Sequence, residues 1–356
     1  MSIVISILIF CLIIIIHEIG HFSAAKLFKM RVYEFSIGMG PSVLKKRGKE
    51  TDYNIKLIPF GGSVQLGEDE DSDDTNAFRN KPVWQRMIVI LAGAFLNLVL
   101  GVVLCLIIAA MSKAIATTTI GGFREGASSN GVLQAGDKIS AINGMSIFTT
   151  GDIQYQIFNK ESKLTAESGE AVFDFTVIRN GKKIKLENVT FQATDNENGG
   201  KEIYLDFFVA RAEKNFTNVV LEALKEAVSY SRLIMITLID VLKGTYGLNG
   251  VAGPIGTVSA IGEVTSSGFS ESLMEGIRMA LYMAALITIN VGIFNLLPIP
   301  ALDGARFLFF IIEAIRRKPV KAEIEGMVHF IGFAALMLFM LIITFNDIRK
   351  LFTGGG

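Results

Sequence analysis

The sequence predicts a mainly α-helical membrane protein with four transmembrane helices and one β-rich segment inserted outside the membrane. Half of its 356 residues, 51%, are hydrophobic, and the mean hydropathy is strongly positive, which is rare among soluble domains. Several apolar runs reach the roughly 20 helical residues that cross a hydrocarbon core. Between the second and third of these runs lies a long stretch rich in turn residues, which predicts a globular insertion.

The four predicted spans cover about residues 2–25, 87–111, 279–302 and 327–345. The first begins like a signal peptide, but it lacks a basic leading region and a small-residue cleavage site, so we interpret it as a span. The third contains Pro298 and Pro300, which break a helix and free backbone carbonyls. A membrane tolerates such backbone only where it is buried in protein or lines a wet cavity.

A fifth apolar candidate, residues 216–243, carries several charged side chains. Each would cost about 2.5 to 3.5 kcal/mol at mid-membrane, so this segment is predicted to be an amphipathic helix at the membrane surface. The charged residues are Glu222, Lys225, Glu226, Arg232 and Asp240.

Charge patterning predicts the orientation of the spans. The connections 26–86 and 313–326 are rich in lysine and arginine close to the membrane, and such loops are cytoplasmic by the positive-inside rule. Both termini and the segment 113–278 would then lie outside.

The formal net charge is zero, which gives no indication of a nucleic-acid partner. Both cysteines fall in apolar runs, where they act as small hydrophobic residues.

The outer segment has short β-type runs joined by tight turns. Asn143-Gly144 and Asn180-Gly181 follow alternating runs, and this dipeptide favours hairpins because both positions adopt positive φ. The stretch 131–144 looks like the core of a PDZ domain, a fold that binds an extended peptide at a sheet edge. The alternative is a small β-rich domain with no peptide ligand.

We therefore divide the chain into four regions. Residues 1–112 are an N-terminal membrane part, and residues 113–210 are an extracytoplasmic PDZ-like domain. Residues 211–278 hold the amphipathic helix and a connecting segment, and residues 279–356 are a C-terminal membrane part.

The first span ends in a motif with chemical potential. His17 and His21 are spaced i, i+4 on one helix face, with Glu18 beside them, which is the zinc-binding pattern of many metalloproteases. Taken alone the pattern is weak, but ionisable side chains at the end of an apolar span are costly and are functional candidates by default.

Catalytic zinc takes three protein ligands and an open position. The remaining histidine, His329, begins the last span beside a basic loop, where we expect an interfacial or packing role. Asp303 is the better candidate, because it follows the broken helix around Pro298 and Pro300 at the end of an apolar span.

Together, His17-Glu18-Ile19-Gly20-His21-Phe22 and Asn295-x-x-Pro298-x-Pro300-x-Leu302-Asp303-Gly304 resemble the site-2 protease family of intramembrane zinc metalloproteases. Ala92-Gly93 and Asn97 in the second span match its bacterial branch, which includes the regulator of sigma-E protease. The resemblance implies zinc bound by His17, His21 and Asp303.

The resemblance also implies roles around the metal. Glu18 would act as general base on the attacking water and as proton donor to the leaving amine. Asn295 would hydrogen-bond substrate or the developing oxyanion; alternatively, it caps the broken helix. Residues 31–66 resemble a re-entrant β-hairpin on the cytoplasmic side whose edge pairs with an unwound substrate; alternatively, they are a plain cytoplasmic hairpin.

The implied function is cleavage of transmembrane segments of single-pass membrane proteins, such as anti-sigma factors or remnant signal peptides. The implied location is the bacterial cytoplasmic membrane. Two alternatives remain open: a proteolytically inactive scaffold that binds partners through the PDZ-like domain, and a zinc transporter. The retained Glu18 argues against the scaffold, and the lack of repeated halves argues against the transporter.

Overall fold

The computed structural model describes residues 2–67, 74–158, 169–195, 201–203, 205–244 and 252–353, which are mostly helical. The helices are α1 Ser2–Leu27, α2 Val83–Met111, α3 Thr150–Phe158, α4 Phe216–Leu242, α5 Pro254–Glu271, α6 Leu273–Leu296, α7 Asp303–Arg316 and α8 Ala322–Thr353, with a 3-10 turn at Phe78–Asn80. The strands are β1 Glu34–Arg47, β2 Asp52–Gln65, β3 Ile115–Phe123, β4 Lys138–Ile142, β5 Met145–Ser146, β6 Glu170–Arg179, β7 Lys182–Asp195, β8 Lys201–Ile203 and β9 Phe207–Ala212.

The described residues contain four helices long and apolar enough to cross a membrane, so the prediction of four spans is confirmed. They run Ile3–Leu27, Val83–Met111, Leu273–Leu296 and Ala322–Lys350. The third was predicted too far along the chain, because the helix already ends at Leu296 and the proline-containing segment that follows is a turn. Helix α4 matches the predicted amphipathic helix and is not one of the four candidates.

The chain divides into two compact units, Met1–Leu104 with Leu233–Gly356, and Cys105–Arg232. In the first unit, α1 packs against α5, α6 and strand β2. Helix α5, which the sequence analysis treated as connecting segment, begins at Gly253-Pro254, and its Gly256 amide donates to the Asp347 carboxylate of α8 at 2.8 Å. A carboxylate at a helix N-terminus satisfies an otherwise unpaired amide and complements the helix dipole.

Strands β1 and β2 each bend and form one sheet of four arms. The arm 34–37 lies between 52–55, which is parallel to it, and 62–65, which is antiparallel. The bends coincide with glycines at positive φ, Gly38 and Gly40 in β1 and Gly61 in β2. Among the described residues, the arm 62–65 pairs on one side only, which leaves a free sheet edge.

The second unit is built on an antiparallel sheet in the order β8-β7-β6-β4-β3-β9, with β5 paired to β4. Its core is aromatic, with Phe173, Phe175, Phe191 and Phe207 nearly inaccessible to solvent. Both predicted tight turns are present: Asn143-Gly144 and Asn180-Gly181 all have positive φ.

Candidate metal centre

The two histidines of α1 direct the same ring nitrogen to one point. Because they are four residues apart, His17 and His21 lie on one face of the helix, one turn apart. Their Nε2 atoms are 3.1 Å apart, and their rings meet edge to face. His21 is 8% exposed and His17 is half-buried. One helix therefore supplies two nitrogen donors to a single protected position.

Asp303 supplies an oxygen to the same position from the far end of the sequence. Its Oδ2 atom lies 3.2 Å from His17 Nε2 and 3.4 Å from His21 Nε2. That oxygen is buried, and neither contact has the geometry of a well-formed hydrogen bond. The structure thus brings together the three residues that the sequence analysis selected, as a group able to hold a metal ion.

Asp303 is placed by a short turn between α6 and α7. The turn holds Ala301 at φ 75°, a conformation that costs energy for a residue with a Cβ. The Ala301 amide donates a hydrogen bond of 3.0 Å to Nδ1 of His329, which lies on α8. A Cβ on Gly304 would lie 2.1 Å from the Leu297 carbonyl oxygen, so only glycine fits there. From the sequence, His329 was expected to have only a packing or interfacial role, and its contact with the turn was not predicted.

Glu18 lies beside the free edge of the β-sheet. A Cβ on Gly62 would come 2.6 Å from Glu18 Cγ and 3.2 Å from its Oε1, so the backbone of β2 lies directly against this side chain. Phe22, one helical turn further along α1, packs its ring against Phe35 and Tyr53 of the same sheet. The helix and the sheet therefore hold the carboxylate of Glu18 next to an unpaired strand edge.

Helix α2 closes the other side of the histidine pair. A Cβ on Gly93 would lie 2.4 Å from His21 Nε2 and 2.8 Å from His17 Cε1. One turn before Gly93, the Val89 carbonyl oxygen lies 2.9 Å from His21 Nδ1; one turn after it, Asn97 lies against His17. Gly93 and Asn97 had matched the family without a role, although a glycine and an asparagine four apart on an apolar helix are a recognisable signal.

Comparisons with known proteins agree with this geometry. The sequence model of the family described as Peptidase family M50 matches residues 5–339. A putative zinc metalloprotease of Fusobacterium nucleatum is 35% identical, with 99% of this chain and 100% of the relative aligned. The chain belongs to peptidase family M50. Zinc metalloprotease RasP of Geobacillus kaustophilus is 31% identical, over 99% of this chain and 98% of the relative. The regulator of sigma-W protease RasP of Bacillus subtilis is 28% identical, over 97% and 98%.

This M50 protein is an intramembrane zinc metalloprotease. With four helices able to cross a membrane and bacterial membrane proteases as homologues, it is a bacterial membrane protein. The comparisons do not support a proteolytically inactive scaffold or a transporter.

The donor triangle fits zinc. Its three sides measure 3.1, 3.2 and 3.4 Å. Tetrahedral ligands at about 2.0 to 2.1 Å from a zinc ion are separated by about 3.3 to 3.4 Å, and nitrogen with carboxylate oxygen is a donor set that catalytic zinc sites use. The buried Oδ2 of Asp303 without a hydrogen bond is also explained if a cation is its partner.

Asn295, the remaining residue selected from sequence, lies in the last turn of α6 and is half-buried. The residue at the helix C-cap is Leu297, whose amide donates to the Phe294 carbonyl. Asn295 therefore precedes the turn that delivers Asp303, on the same connection between α6 and α7.

Proposed function

We propose that His17, His21 and Asp303 are the zinc ligands of this protease and that Glu18 is its general base, acting on peptide bonds within transmembrane segments of single-pass membrane proteins. The observation that carries the proposal is the convergence of two imidazole nitrogens and one unsatisfied carboxylate oxygen, from α1 and the start of α7, next to Glu18.

Zinc, when bound, acts as a Lewis acid towards the scissile carbonyl and acidifies water. Glu18 accepts a proton from the attacking water while the water oxygen bonds to the peptide carbonyl carbon. Glu18 then passes that proton to the nitrogen of the leaving amine as the C–N bond breaks. The products are a carboxylic acid and an amine, which become a carboxylate and an ammonium group when the second proton of the water passes to the amine, and Glu18 returns to its starting state.

The free edge of arm 62–65 supports the proposal that the substrate binds as an extended strand. A helical substrate hides its carbonyls in internal hydrogen bonds, so it must unwind before attack. An unpaired strand edge next to Glu18 offers main-chain groups that replace those lost hydrogen bonds. This supports a substrate-binding role for the hairpin 31–66 and its re-entrant placement in the membrane.

Asn295 is proposed to hydrogen-bond the substrate or the developing oxyanion. A preorganised donor of this kind contributes about 3 to 4 kcal/mol to transition-state stabilisation. Its half-buried position before the Asp303 turn supports that role.

The second unit is proposed to contain a PDZ-like domain over 113–210, on the outer side of the cytoplasmic membrane together with both termini. Support comes from its antiparallel sheet, from the short helix α3 and from glycines at positive φ in the 131–136 loop, Gly131 and Gly136. Anti-sigma factors and remnant signal peptides are the proposed substrate classes.

The topology is tested with single cysteines that replace Lys49 and Lys182, labelled from either side of membrane vesicles. The proposal expects the two cysteines to be labelled from opposite sides.

The first experiment compares wild type, Glu18→Gln and Glu50→Gln in detergent, measuring bound zinc and cleavage of a purified single-span substrate. Glu50 is exposed and pairs with Lys26, so its variant is a matched control with normal activity. The proposal expects Glu18→Gln to keep zinc and lose cleavage. Full activity in Glu18→Gln would refute the base assignment, and normal zinc content in Asp303→Asn would refute the ligand set.

A further inference from the structure

Asn97 is the buried polar side chain nearest to the second nitrogen of His17. It lies on α2 with no exposed surface, and its Nδ2 is 3.3 Å from His17 Nδ1. Its Oδ1 is buried without a hydrogen-bond partner among the described residues. The main-chain carbonyl of Asn97 is engaged separately, accepting from Thr288 Oγ1 at 3.1 Å. The side-chain amide is therefore placed against His17 while its main chain is fixed by α6.

A metal-binding role for His17 restricts which atom of the amide faces it. A neutral imidazole carries one proton, so one ring nitrogen donates and the other accepts. The nitrogen that faces His21 and Asp303 is Nε2. For Nε2 to offer its lone pair to zinc, the proton must be on Nδ1, and Nδ1–H needs an acceptor. An amide NH2 group is no acceptor, whereas the amide oxygen is one.

His21 already shows the arrangement that His17 requires. Its Nδ1 faces the main-chain carbonyl of Val89 at 2.9 Å, which fixes the proton on Nδ1 and leaves Nε2 free. Val89, Gly93 and Asn97 are spaced by four on one face of α2. This face offers a main-chain oxygen to one histidine, close approach at the glycine, and a side-chain amide to the other.

We infer that Asn97 is a positioning residue that presents its Oδ1 to His17 Nδ1–H and so holds His17 in the tautomer that binds zinc through Nε2. The two ends of an asparagine amide have nearly the same shape, and the hydrogen-bond network decides their orientation. Rotation by 180° relative to the orientation described above gives the unpartnered oxygen a donor and His17 an acceptor. This inference rests on the proposed role of His17 as a zinc ligand.

The test measures zinc affinity by chelator competition in the full chain, with no reference to activity. Asn97→Leu keeps the approximate side-chain volume but removes the hydrogen-bond acceptor. Zinc affinity is expected to fall about 10- to 100-fold, the usual effect of removing a residue that hydrogen-bonds a metal ligand. Asn97→Asp keeps an acceptor and is expected to stay within a few-fold of wild type. Thr288→Val removes only the contact to the Asn97 main chain and is expected to keep zinc affinity.

Two results would overturn the inference: wild-type affinity in Asn97→Leu, or an equal loss in Asn97→Asp and Asn97→Leu while both elute as folded protein. His17→Ala separates this failure from that of the proposed function, because a zinc-binding protein without His17 refutes the ligand set itself. If Asn97→Asp does not fold, ¹⁵N-histidine NMR of the zinc-loaded wild type decides. A proton on His17 Nδ1 that becomes exchangeable in Asn97→Leu is expected, and a proton on Nε2 would contradict the inference.

Discussion

One buried carboxylate of the membrane unit, that of Asp303, has different surroundings from the buried carboxylates of the β-rich unit of this protease. In the β-rich unit, Asp152 has no exposed surface and accepts from the amides of Phe148 and Thr149 and from Ser229, and pairs with Arg232. Asp206 likewise accepts from Ser129 through both main chain and hydroxyl. In the membrane unit, the buried Asp303 Oδ2 accepts from no backbone amide or hydroxyl of the described residues and faces His17 Nε2 and His21 Nε2 at 3.2 and 3.4 Å.

The difference separates structural carboxylates from a functional one. A buried carboxylate surrounded by hydrogen-bond donors contributes to the fold, whereas one that faces two neutral imidazoles is costly unless a cation joins the group. The surroundings of Asp303 Oδ2 are therefore consistent with its proposed role as a metal ligand, and the hydrogen bonds of Asp152 and Asp206 are consistent with a structural role.

The largest expected effect tests this contrast directly. Asp303→Asn is expected to lower zinc affinity by more than the roughly 10- to 100-fold cost of a lost supporting contact, with loss of cleavage, because an amide is a poor zinc ligand. The zinc-free protein is expected to lose less stability than with Asp152→Asn, because Asp303 Oδ2 contacts the His17 and His21 imidazoles at 3.2 and 3.4 Å and accepts from no backbone amide among the described residues. Asp152→Asn should behave in the reverse way, keeping zinc but losing about 3 to 5 kcal/mol of stability as Arg232 loses its carboxylate partner. Equal melting temperatures for wild type and Asp152→Asn would break the comparison.

A second pair of variants asks whether packing against the metal centre differs from packing elsewhere on the same helix. Gly93→Ala places a methyl group on His21 Nε2, so zinc affinity is expected to fall at least 10-fold. Gly101→Ala is the matched control, since its Cβ meets Ile289 at 2.3 Å. It should keep zinc and lose about 1 to 3 kcal/mol of stability from overpacking. Undiminished zinc binding in Gly93→Ala would show that α2 moves aside.

A third prediction concerns His329, whose contact with Ala301 holds the turn before Asp303. His329→Asn places an amide oxygen near the position of Nδ1 and is expected to keep zinc affinity within a few-fold. His329→Leu removes the acceptor of the Ala301 amide, a hydrogen bond that contributes about 0.5 to 1.5 kcal/mol, and is expected to lower zinc affinity about 10-fold. The measurement is again chelator competition. If Asn and Leu variants behave alike, the hydrogen bond does not support the turn.

The smallest expected effect comes from a carboxylate of the second unit that departs from the pattern of Asp152. Burial raises the pKa of Glu226 on α4 to about 7, helped by the negative charges of Glu222 and Asp152 and opposed by a hydrogen bond with Tyr230. Because the folded-state pKa lies above the unfolded value, this group stabilises the fold fully below about pH 4.5 and less as pH rises through 7.

Glu226→Gln mimics the protonated form, so the stability gap between the variant and wild type is expected to widen from pH 5.5 to 8. Melting temperatures over this range measure it, with Glu187→Gln, an exposed residue paired to Lys185, as control. A gap that stays constant with pH would contradict the prediction.

Much of the site could be predicted from local sequence. His17 and His21 are one helical turn apart, so helix periodicity alone places them together, and four apolar helices follow from span length. Asp303 was within reach because an acidic residue after Pro298 and Pro300 is rare in an apolar span. The exact end of the third span could not be predicted, because the helix ends at Leu296, before either proline.

The sequence by itself thus determined the membrane class, the family and the three residues proposed as metal ligands, since each depends on local spacing or on short motifs. Only the tertiary structure decided how α2 and α8 support those ligands. The contacts of Gly93, Asn97 and His329 join residues far apart in the chain. Such contacts have no fixed sequence spacing, so they cannot be predicted from a local pattern. Whether a buried polar atom has a hydrogen-bond partner is likewise a property of the packed fold, which is why the buried Oδ1 of Asn97 without a partner among the described residues is found only in the structure.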